Sequence, residues 1–574
     1  MTDSSTGSPR PGGTIAVGDD GAVGGTDHGA GVRATLRRIS SAIERSARIE
    51  PVADRSRTGG VSTGKYAAAG LAAGIAVAGG AVAGGRAFIS GQPGAWFFGT
   101  PRGPLGSVST AAAHPPAVAV LAVYGGLVAL AVVWWRLVRG LRANPGLPVR
   151  QVVRVIAVWA VPFLLAPPLF SRDVYSYAGQ GQLVSLHIDP YLYGTGVLGV
   201  TPFSWLAGPL WANTPSPYGP TFLSLDGLAT MTSAHQVLAD VALLRLVAVA
   251  GIALVVAGLP TLARRVGQDP AAAVVLGAGS PLVLGTLVGG AHNDALMVGL
   301  LVAGLAAWQR FGPVPGIVLC ALATGVKFPA VLGVVAIGWN WLPPGAGEAT
   351  ARRMARTVAA LGIGAATLAV ESAVTGVGWG WVRTAAAPDK ISTGVTPVNA
   401  LAHLLGGALH LAGIGTPLTS VRVVLSTLGM AAAVAVGTWV LWRSPRTGAV
   451  RAVGVSLLVL ALLSPVLWAW YATWGLVVLA PVATGALRRT VMWLIVAEAV
   501  IGASAVLGIL RTVVDMGPWH ALLVVAGVAA AGVLAGRPSY EPGASRPRRS
   551  PWRSRSPRPA GVTVSAIRRS HSGR

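Results

Sequence analysis

The chain has 574 residues, of which 53% are hydrophobic and only 11% are charged, and its mean hydropathy is +0.63. A water-soluble protein carries roughly a quarter charged residues, so this composition excludes an ordinary soluble enzyme. The single cysteine, Cys320, excludes a disulfide framework and a cysteine-based metal cage. The net charge of +25 includes ten arginines between Arg537 and Arg574. Because these lie among Pro and Ser, they indicate contact with anionic lipid, and we expect no nucleic-acid partner.

Three regions follow from composition along the chain. Residues 1–64 and 538–574 are polar and basic, and we expect both to be disordered cytoplasmic tails that contact anionic membrane lipids. The first tail lacks the apolar core of a cleaved signal peptide, so the apolar run that begins at Tyr66 is predicted to be a retained helix. Residues 65–537 are predicted to form one transmembrane domain.

Apolar runs of about 20 residues, the length that crosses a bilayer core, recur throughout this domain. They predict spans near residues 66–85, 116–135, 151–170, 237–260, 270–289, 293–309, 355–376, 418–442, 448–469, 471–487, 490–510 and 519–536. With the segment 313–342, the pattern predicts an all-α polytopic membrane protein of about 12–14 transmembrane helices.

Arginine clusters set the predicted topology. They lie in alternate connections, at 136–142, 264–265, 310, 352–356, 443–451 and 488–489. Arginine favours the cytoplasmic side of a membrane, so we expect a multi-pass cell-membrane protein with both termini in the cytoplasm. The longest outward loop is then 171–236, between the third and fourth spans.

The segment 313–342 lies between two cytoplasmic arginine clusters and is too short for two full spans of about 20 residues. We expect a hairpin of two short helices with Lys327, Phe328 and Pro329 at its outward tip. A single long helix, which would reverse the topology beyond it, is the alternative.

The outward loops hold most of the polar and aromatic side chains. Five of the nine tyrosines lie in 171–236, together with several aspartates. Aromatic rings beside carboxylates suit a carbohydrate, whose ring faces stack and whose hydroxyls need acceptors. Aromatic residues also belt membrane interfaces without any ligand, and composition leaves both interpretations open.

Asp173 is the candidate general base. It follows the third span at the outer membrane boundary, where partial desolvation makes a carboxylate more basic. Alternatively, Asp173 only caps a helix that starts at Val174. No Asp-x-Asp pair occurs in this loop, so the sequence gives no support to a metal-held nucleotide-sugar, and we expect no cofactor, although a divalent metal is not excluded.

Two further motifs carry candidate ligands. His292, Asn293 and Asp294 cap an outward turn, where they could bind a phosphate or a sugar hydroxyl or cap the next helix. Lys327 is one of only three lysines, with Lys65 and Lys390, and lies at membrane depth, where a charge usually has a functional partner. A lipid phosphate would suit it, and snorkelling to the surface is the alternative.

These motifs together resemble a known family. The strings 171–177 (SRDVYSY), 189–191 (DPY), 217–220 (PYGP), 292–294 (HND) and 327–329 (KFP) are similar to those of the actinobacterial polyprenol-phosphomannose-dependent α-(1→6)-mannosyltransferases. The resemblance covers roughly residues 60–537. It implies a glycosyltransferase C-type fold.

The resemblance also implies a function. A mannosyl group would pass from polyprenyl-phosphomannose to a growing α-(1→6)-mannan, the core of lipomannan and lipoarabinomannan, on the outer face of the membrane. Asp173 matches an essential acidic position and would deprotonate the acceptor in an inverting displacement. Arg172, Lys327 and His292 would bind the donor phosphate. Sugar contacts are expected from Tyr175, Tyr177, Asp189, Tyr191, Tyr218, Asn293 and Asp294.

Two other classes of protein fit parts of the pattern. A secondary transporter or lipid flippase would also have a broken hairpin and intramembrane charges, but the sequence has no evident inverted repeat and its polar residues concentrate outside the membrane. A non-catalytic scaffold that binds glycolipid is the other alternative. The sequence does not distinguish an enzyme that starts the mannan from one that extends it.

Overall fold

The computed structural model describes residues 62–83, 117–342, 349–384, 396–415 and 417–507. Within these ranges the chain is helical and contains no strand. The α-helices in chain order are α1 (Thr63–Ala83), α2 (Ala117–Ala143), α3 (Val149–Leu165), α4 (Asp173–Ser185), α5 (Pro202–Ala207), α6 (Pro209–Ala212), α7 (Pro220–Thr232), α8 (Val237–Arg265), α9 (Pro270–Gly277), α10 (Asp294–Phe311), α11 (Pro313–Val326), α12 (Val331–Trp339), α13 (Thr350–Thr375), α14 (Trp381–Thr384), α15 (Pro397–Leu411), α16 (Leu418–Thr447), α17 (Ala449–Leu463), α18 (Ala472–Leu479) and α19 (Gly485–Leu507).

Six helices in the described ranges are long and apolar enough to cross a membrane, namely α1, α2, α8, α10, α13 and α16. The prediction of an all-α polytopic membrane protein is therefore confirmed. The two tails, the loop 86–115, the span 519–536 and Lys390 lie outside the described residues, and the predictions made for them stay predictions.

Three predicted spans are wrong in extent because the chain breaks inside them. Helix α3 ends at Leu165, before Pro167 and Pro168, since proline cannot donate the next helical hydrogen bond. The span 270–289 is interrupted after α9 by Gly279, Ser280 and Pro281, and continues as a π-helical turn, Val283–Val288. In the span 471–487, the eight-residue helix α18 ends at Leu479 and α19 begins at Gly485. The segment 377–417, to which no span was assigned, contains α15, a helix of 15 residues.

The predicted hairpin at 313–342 is confirmed. Helices α11 and α12 contain 14 and 9 residues, and a 3-10 turn, Phe328–Ala330, joins them. The two helices fold back on each other and are in close contact. A Cβ added to Gly333 in α12 would lie only 2.9 Å from Cys320 Sγ in α11. Two helices this short would reach only part of the way across a bilayer, and the position of Lys327 at membrane depth stays a prediction.

Small residues bring α8 and α10 into backbone contact. A Cβ on Gly299 would lie 2.3 Å from the carbonyl oxygen of Gly251, so only glycine fits at this crossing, as in small-residue packing of membrane helices. The close contact fixes the start of α10, which carries Asp294, against the middle of α8.

Arginine-rich helix ends gather at one end of the bundle. The end of α12 meets the start of α13 and the end of α16, where Asn340 Nδ2 donates to Ser444 Oγ at 2.7 Å and Arg353 Nη1 donates to the Trp339 carbonyl at 3.0 Å. Lys327, at the hairpin tip, lies at the opposite end of α11 and α12. The arginine clusters and the candidate site residues are therefore at opposite ends of these helices, and which end faces the cytoplasm stays a prediction.

Candidate active site

Two irregular segments, 166–172 and 289–293, are joined by backbone contacts and one buried arginine. The Leu169 N–H donates to the Gly289 carbonyl at 2.9 Å. The Arg245 guanidinium, on α8, donates to the carbonyls of Leu164 (2.8 Å), Ala166 (2.7 Å) and Gly289 (3.1 Å). Because these carbonyls have no helical partner, the arginine satisfies them. It thereby fixes the spacing between the segments that carry Asp173 and His292.

Each of these segments also contains one strained residue. Phe170 has φ 62° and Ala291 has φ 54°, in the left-handed region that side chains other than glycine rarely adopt. Such strain persists where the surroundings over-determine the backbone, often at functional sites. Here it directs the residues that follow, Ser171–Asp173 and His292, into the space between the segments.

Asp173 is the first residue of α4, and its buried side chain faces His292. The cap position is Arg172, whose side chain makes no capping hydrogen bond, so Asp173 does not cap a helix that starts at Val174. The Asp173 N–H donates to Ser171 Oγ at 3.0 Å. Asp173 Oδ2 lies 3.7 Å from His292 Nε2, within ion-pair range and longer than a hydrogen bond.

His292 is completely buried and is held on two sides. Its Nδ1 lies 2.7 Å from the Thr286 carbonyl oxygen. A carbonyl only accepts, so Nδ1 carries the hydrogen and Nε2 is left facing Asp173. The imidazole stacks on Trp470, with ring centroids 3.9 Å apart and planes inclined by 24°.

Burial shifts both groups toward their neutral forms. Burial raises the pKa of Asp173, while the charges of His292 and Lys327 pull it back. Burial lowers the pKa of the His292 imidazole, while the carboxylates of Asp173 and Asp294 oppose that change. Both residues lie outside the predicted spans. A carboxylate with a raised pKa is a stronger base than aspartate in water.

The Lys327 ammonium is surrounded by one carboxylate and three aromatic rings. Its Nζ donates to Asp294 Oδ1 and Oδ2 at 2.9 and 3.0 Å. Trp474 Nε1 donates to Asp294 Oδ1 at 2.5 Å. The ammonium also lies over the rings of Tyr471 (4.7 Å), Trp474 (5.5 Å) and Tyr218 (5.6 Å). Lys327 therefore has a side-chain partner, Asp294, while its position at membrane depth and its contact with a lipid phosphate stay predictions. The alternative capping role of Asp294 is not observed, since Asn293 is the cap position of α10.

Aromatic side chains form the wall between these two groups. Tyr177, Tyr218 and Phe222 pack edge to face, with centroids 4.9–5.4 Å apart. The Tyr177 hydroxyl donates to Asn293 Oδ1 at 3.4 Å, a long hydrogen bond. The electrostatic neighbours of Tyr177 include both Asp173 and Asp294, so its hydroxyl is near both carboxylates.

The structure thus brings together seven of the predicted site residues, which are Asp173, Tyr177, Tyr218, His292, Asn293, Asp294 and Lys327. We call this set the outer site.

The contacts that define the outer site do not include the other four predicted residues. The Arg172 guanidinium lies over Gly208, with Nη1 2.6 Å from the position of an added Cβ, and its electrostatic neighbour is Tyr175. The Asp189 carboxylate accepts the Tyr191 N–H at 2.8 Å and so forms a local turn. The roles predicted for Arg172, Tyr175, Asp189 and Tyr191 remain predictions.

Sequence analysis missed three aromatic residues of the outer site, Trp470, Tyr471 and Trp474. They lie in the string Trp468–Trp474, between two apolar runs, and were assigned to the ends of spans. The sequence contained a signal for them, because four of the seven residues in this string are aromatic. Anchoring of a helix end at the membrane interface does not require so many aromatic residues. Because α17 and α18 are short, this turn lies deep enough to meet His292 and Asp294.

No group of three histidine, cysteine or acidic side chains in the described ranges has the geometry to hold a metal ion. The expectation of a reaction without a metal cofactor therefore stays an expectation.

Comparisons with known proteins place the chain in a family. A profile described as "Alpha-(1->6)-mannopyranosyltransferase, N-terminal domain" matches residues 67–343, and one described as "MptB C-terminal domain" matches 398–537. A protein of Mycolicibacterium smegmatis named as a probable α-(1→6)-mannopyranosyltransferase is 32% identical over 62% of this chain and 70% of its own length.

Two further relatives agree with these matches. α-(1→6)-Mannopyranosyltransferase A of Mycobacterium tuberculosis is 36% identical over 57% of this chain and 64% of its own length. α-(1→6)-Mannopyranosyltransferase B of Corynebacterium glutamicum is 30% identical over 57% of this chain and 58% of its own length. No solved structure gives a significant match. The chain therefore belongs to the family of α-(1→6)-mannopyranosyltransferases.

Proposed function

We propose that this protein transfers mannose from polyprenyl-phosphomannose to a growing α-(1→6)-mannan glycolipid on the outer face of the cell membrane. One observation carries the proposal. A buried carboxylate, Asp173, and a partly buried ammonium, Lys327, approach the two ends of the same three-residue segment, His292–Asp294. A base and a cation separated by a short aromatic wall suit a sugar whose anomeric carbon carries a phosphate. The relatives' names supply the sugar and the linkage.

In this proposal Asp173 is the general base. It takes the proton from the acceptor 6-hydroxyl, whose oxygen then forms the new bond to the anomeric carbon. The bond from that carbon to the phosphate oxygen breaks, and its electron pair leaves with the polyprenyl phosphate. A single displacement inverts the configuration, which converts a β-linked donor into an α-linked product. Positioned acid–base catalysis contributes about 10²- to 10⁴-fold in rate.

Lys327 would bind the departing phosphate. Its ammonium is the cation at the membrane-depth end of the outer site, and charge placed where negative charge develops stabilises the transition state. In the structure without substrate, Asp294 binds the Lys327 ammonium. The aromatic rings around the ammonium exclude water, which would strengthen the attraction between Lys327 and an arriving phosphate. The position of the outer site opposite the arginine-rich helix ends supports an active site that faces outward.

The test is Asp173→Asn in membranes that contain radiolabelled polyprenyl-phosphomannose and a mannan acceptor. The amide keeps the size of the carboxylate and cannot accept the proton, so we expect the transfer rate to fall by about 10²-fold or more at unchanged protein level. His410→Gln, on the exposed end of α15, is the matched control and should transfer at the wild-type rate. Unchanged transfer by Asp173→Asn would remove Asp173 as the base.

A further inference from the structure

The two ring nitrogens of His292 have different and fixed surroundings. Nδ1 donates to the Thr286 carbonyl, which also accepts the Gly290 N–H at 2.9 Å. Nε2 is buried without a hydrogen-bond partner among the described residues, and the charged atom facing it is Asp173 Oδ2 at 3.7 Å. A buried nitrogen whose lone pair has no donor has lost the hydrogen bond that it would accept in water. Such an arrangement is common where the nitrogen has a chemical task.

The protein fixes the imidazole ring against rotation. Trp470 covers one face of the ring, and Trp468 stacks on Trp470 with centroids 5.1 Å apart and planes inclined by 4°. Thr286, which holds Nδ1, lies in the π-helical turn Val283–Val288, a rare conformation that occurs mostly at functional sites. A ring flip would put Cδ2 in the place of Nδ1 and Cε1 in the place of Nε2, and would break the bond to the Thr286 carbonyl. The nitrogen directed at Asp173 is therefore always Nε2.

We propose that His292 is the positioning partner and proton acceptor of Asp173, and that it does not bind the donor phosphate. The proposal rests on the proposed mannosyl transfer and assigns a different role to a residue that the sequence predicted as a phosphate ligand. After Asp173 has taken the proton from the acceptor hydroxyl, that proton passes from the carboxyl to His292 Nε2. The carboxylate is restored beside an imidazolium, and the imidazolium releases the proton to water when the products leave.

The 3.7 Å separation suits this role in a site without substrate. Catalytic hydrogen bonds are often long before substrate binds and tighten in the reactive complex. Closing this gap to a hydrogen bond of about 2.8 Å requires only a small rotation of the Asp173 carboxylate. Neither a carboxylate nor an unprotonated nitrogen can donate, so the two groups form a hydrogen bond only when one of them has taken up a proton.

The surroundings of the pair decide how it responds to pH. The other charged or titratable groups that face Asp173 are Lys327 and Asp294, and the hydroxyls of Tyr177 and Tyr218 lie beside them. None of these replaces a proton acceptor at Nε2. Without the imidazole, Asp173 loses the neighbour that favours its ionised form, so its pKa rises further.

The kinetic test compares His292→Gln with the wild type and with His410→Gln, in the transfer assay. We expect kcat to fall roughly 10-fold or more, KM for the donor to stay within about twofold, and the acidic limb of the pH profile to move to higher pH. His410→Gln should change none of these. A raised donor KM with unchanged kcat and an unmoved acidic limb would overturn the proposal, because a phosphate ligand produces that pattern.

A second measurement does not depend on transfer. In protein labelled with ¹³C at histidine Cε1, the His292 resonance is identified by its loss in His292→Gln or, if that variant does not fold, in His292→Asn. We expect Asp173→Asn to lower the titration midpoint of this resonance, since the carboxylate favours the imidazolium. Trp470→Phe, which keeps a stacking ring, should preserve that difference.

The two measurements separate the two proposals. A wild-type protein that transfers no mannose but shows the shifted midpoint would contradict the proposed function and keep the pairing. Normal transfer with a midpoint that Asp173→Asn leaves unmoved would contradict the pairing and keep the proposed function.

Discussion

Replacement of Lys327 by methionine should destabilise the protein more than replacement of its partner Asp294 by asparagine. Asp294 is completely buried, and the lysine side chain is 12% exposed. Removal of one partner of a buried ion pair costs about 3–5 kcal/mol, because the other charge is left uncompensated. In Lys327→Met the uncompensated charge is the Asp294 carboxylate, which keeps the hydrogen bond from Trp474 Nε1. We therefore expect a loss in the upper part of that range.

Asp294→Asn should cost less for two reasons that the structure supplies. The remaining ammonium is partly exposed, and it lies within 4.7–5.6 Å of three aromatic ring centroids. Cation–π contacts are each worth about 0.5–2 kcal/mol, so they offset part of the lost ion pair. The asparagine also keeps an oxygen that accepts from Trp474. The double variant Lys327→Met with Asp294→Asn leaves no buried charge and should be more stable than Lys327→Met alone.

The assay is equilibrium unfolding in mixed detergent micelles with increasing SDS, followed by tryptophan fluorescence. The expected order of stability is wild type, then Asp294→Asn, then the double variant, with Lys327→Met least stable. Equal losses for the two single variants, or a double variant whose loss equals their sum, would refute the assignment of a coupled buried pair.

Three further predictions follow from the outer site and the helix packing. Burial raises the pKa of Asp173, and a base must be ionised. We therefore expect kcat/KM to fall with decreasing pH at a midpoint above 3.8, the ordinary pKa of aspartate. A profile that stays flat down to pH 3.8 would contradict this. Val200→Cys, in the outer loop, should react with an impermeant maleimide on intact cells, whereas Arg446→Cys should not; the opposite pattern would reverse the topology. Gly299→Ala should cost about 1–3 kcal/mol in detergent unfolding, while Gly362→Ala, which has open space, should cost nothing; equal effects would argue against the close helix crossing.

The sequence predicted the architecture where a single physical requirement dominates. Apolar length and arginine placement predicted the membrane class, and the same two constraints predicted the hairpin around Lys327, because no other path of 30 residues returns to the cytoplasm. It also predicted that residues from three distant segments contribute to the site, through the resemblance that linked Asp173, His292 and Lys327.

The sequence could not predict which polar groups pair with each other. Local rules made Asp173 and Asp294 helix caps, but tertiary contacts with His292 and Lys327 determine where their side chains lie. The stack of Trp470 on His292 was missed because the short α18 was taken for a full span, and apolar length does not show where a helix breaks. Arg245 gave no local signal, since its three acceptors are backbone carbonyls from segments 44 to 81 residues away.

The central claim is that one outward-facing site uses Asp173 on the sugar and Lys327 on the phosphate. A cryo-electron microscopy structure with a non-transferable polyprenyl-phosphomannose analogue tests it most directly. The account predicts a phosphate oxygen about 3 Å from Lys327 Nζ and the Asp173 carboxylate beside the face of the anomeric carbon opposite the phosphate. A phosphate bound away from Lys327, or a mannose ring out of reach of Asp173, would contradict it.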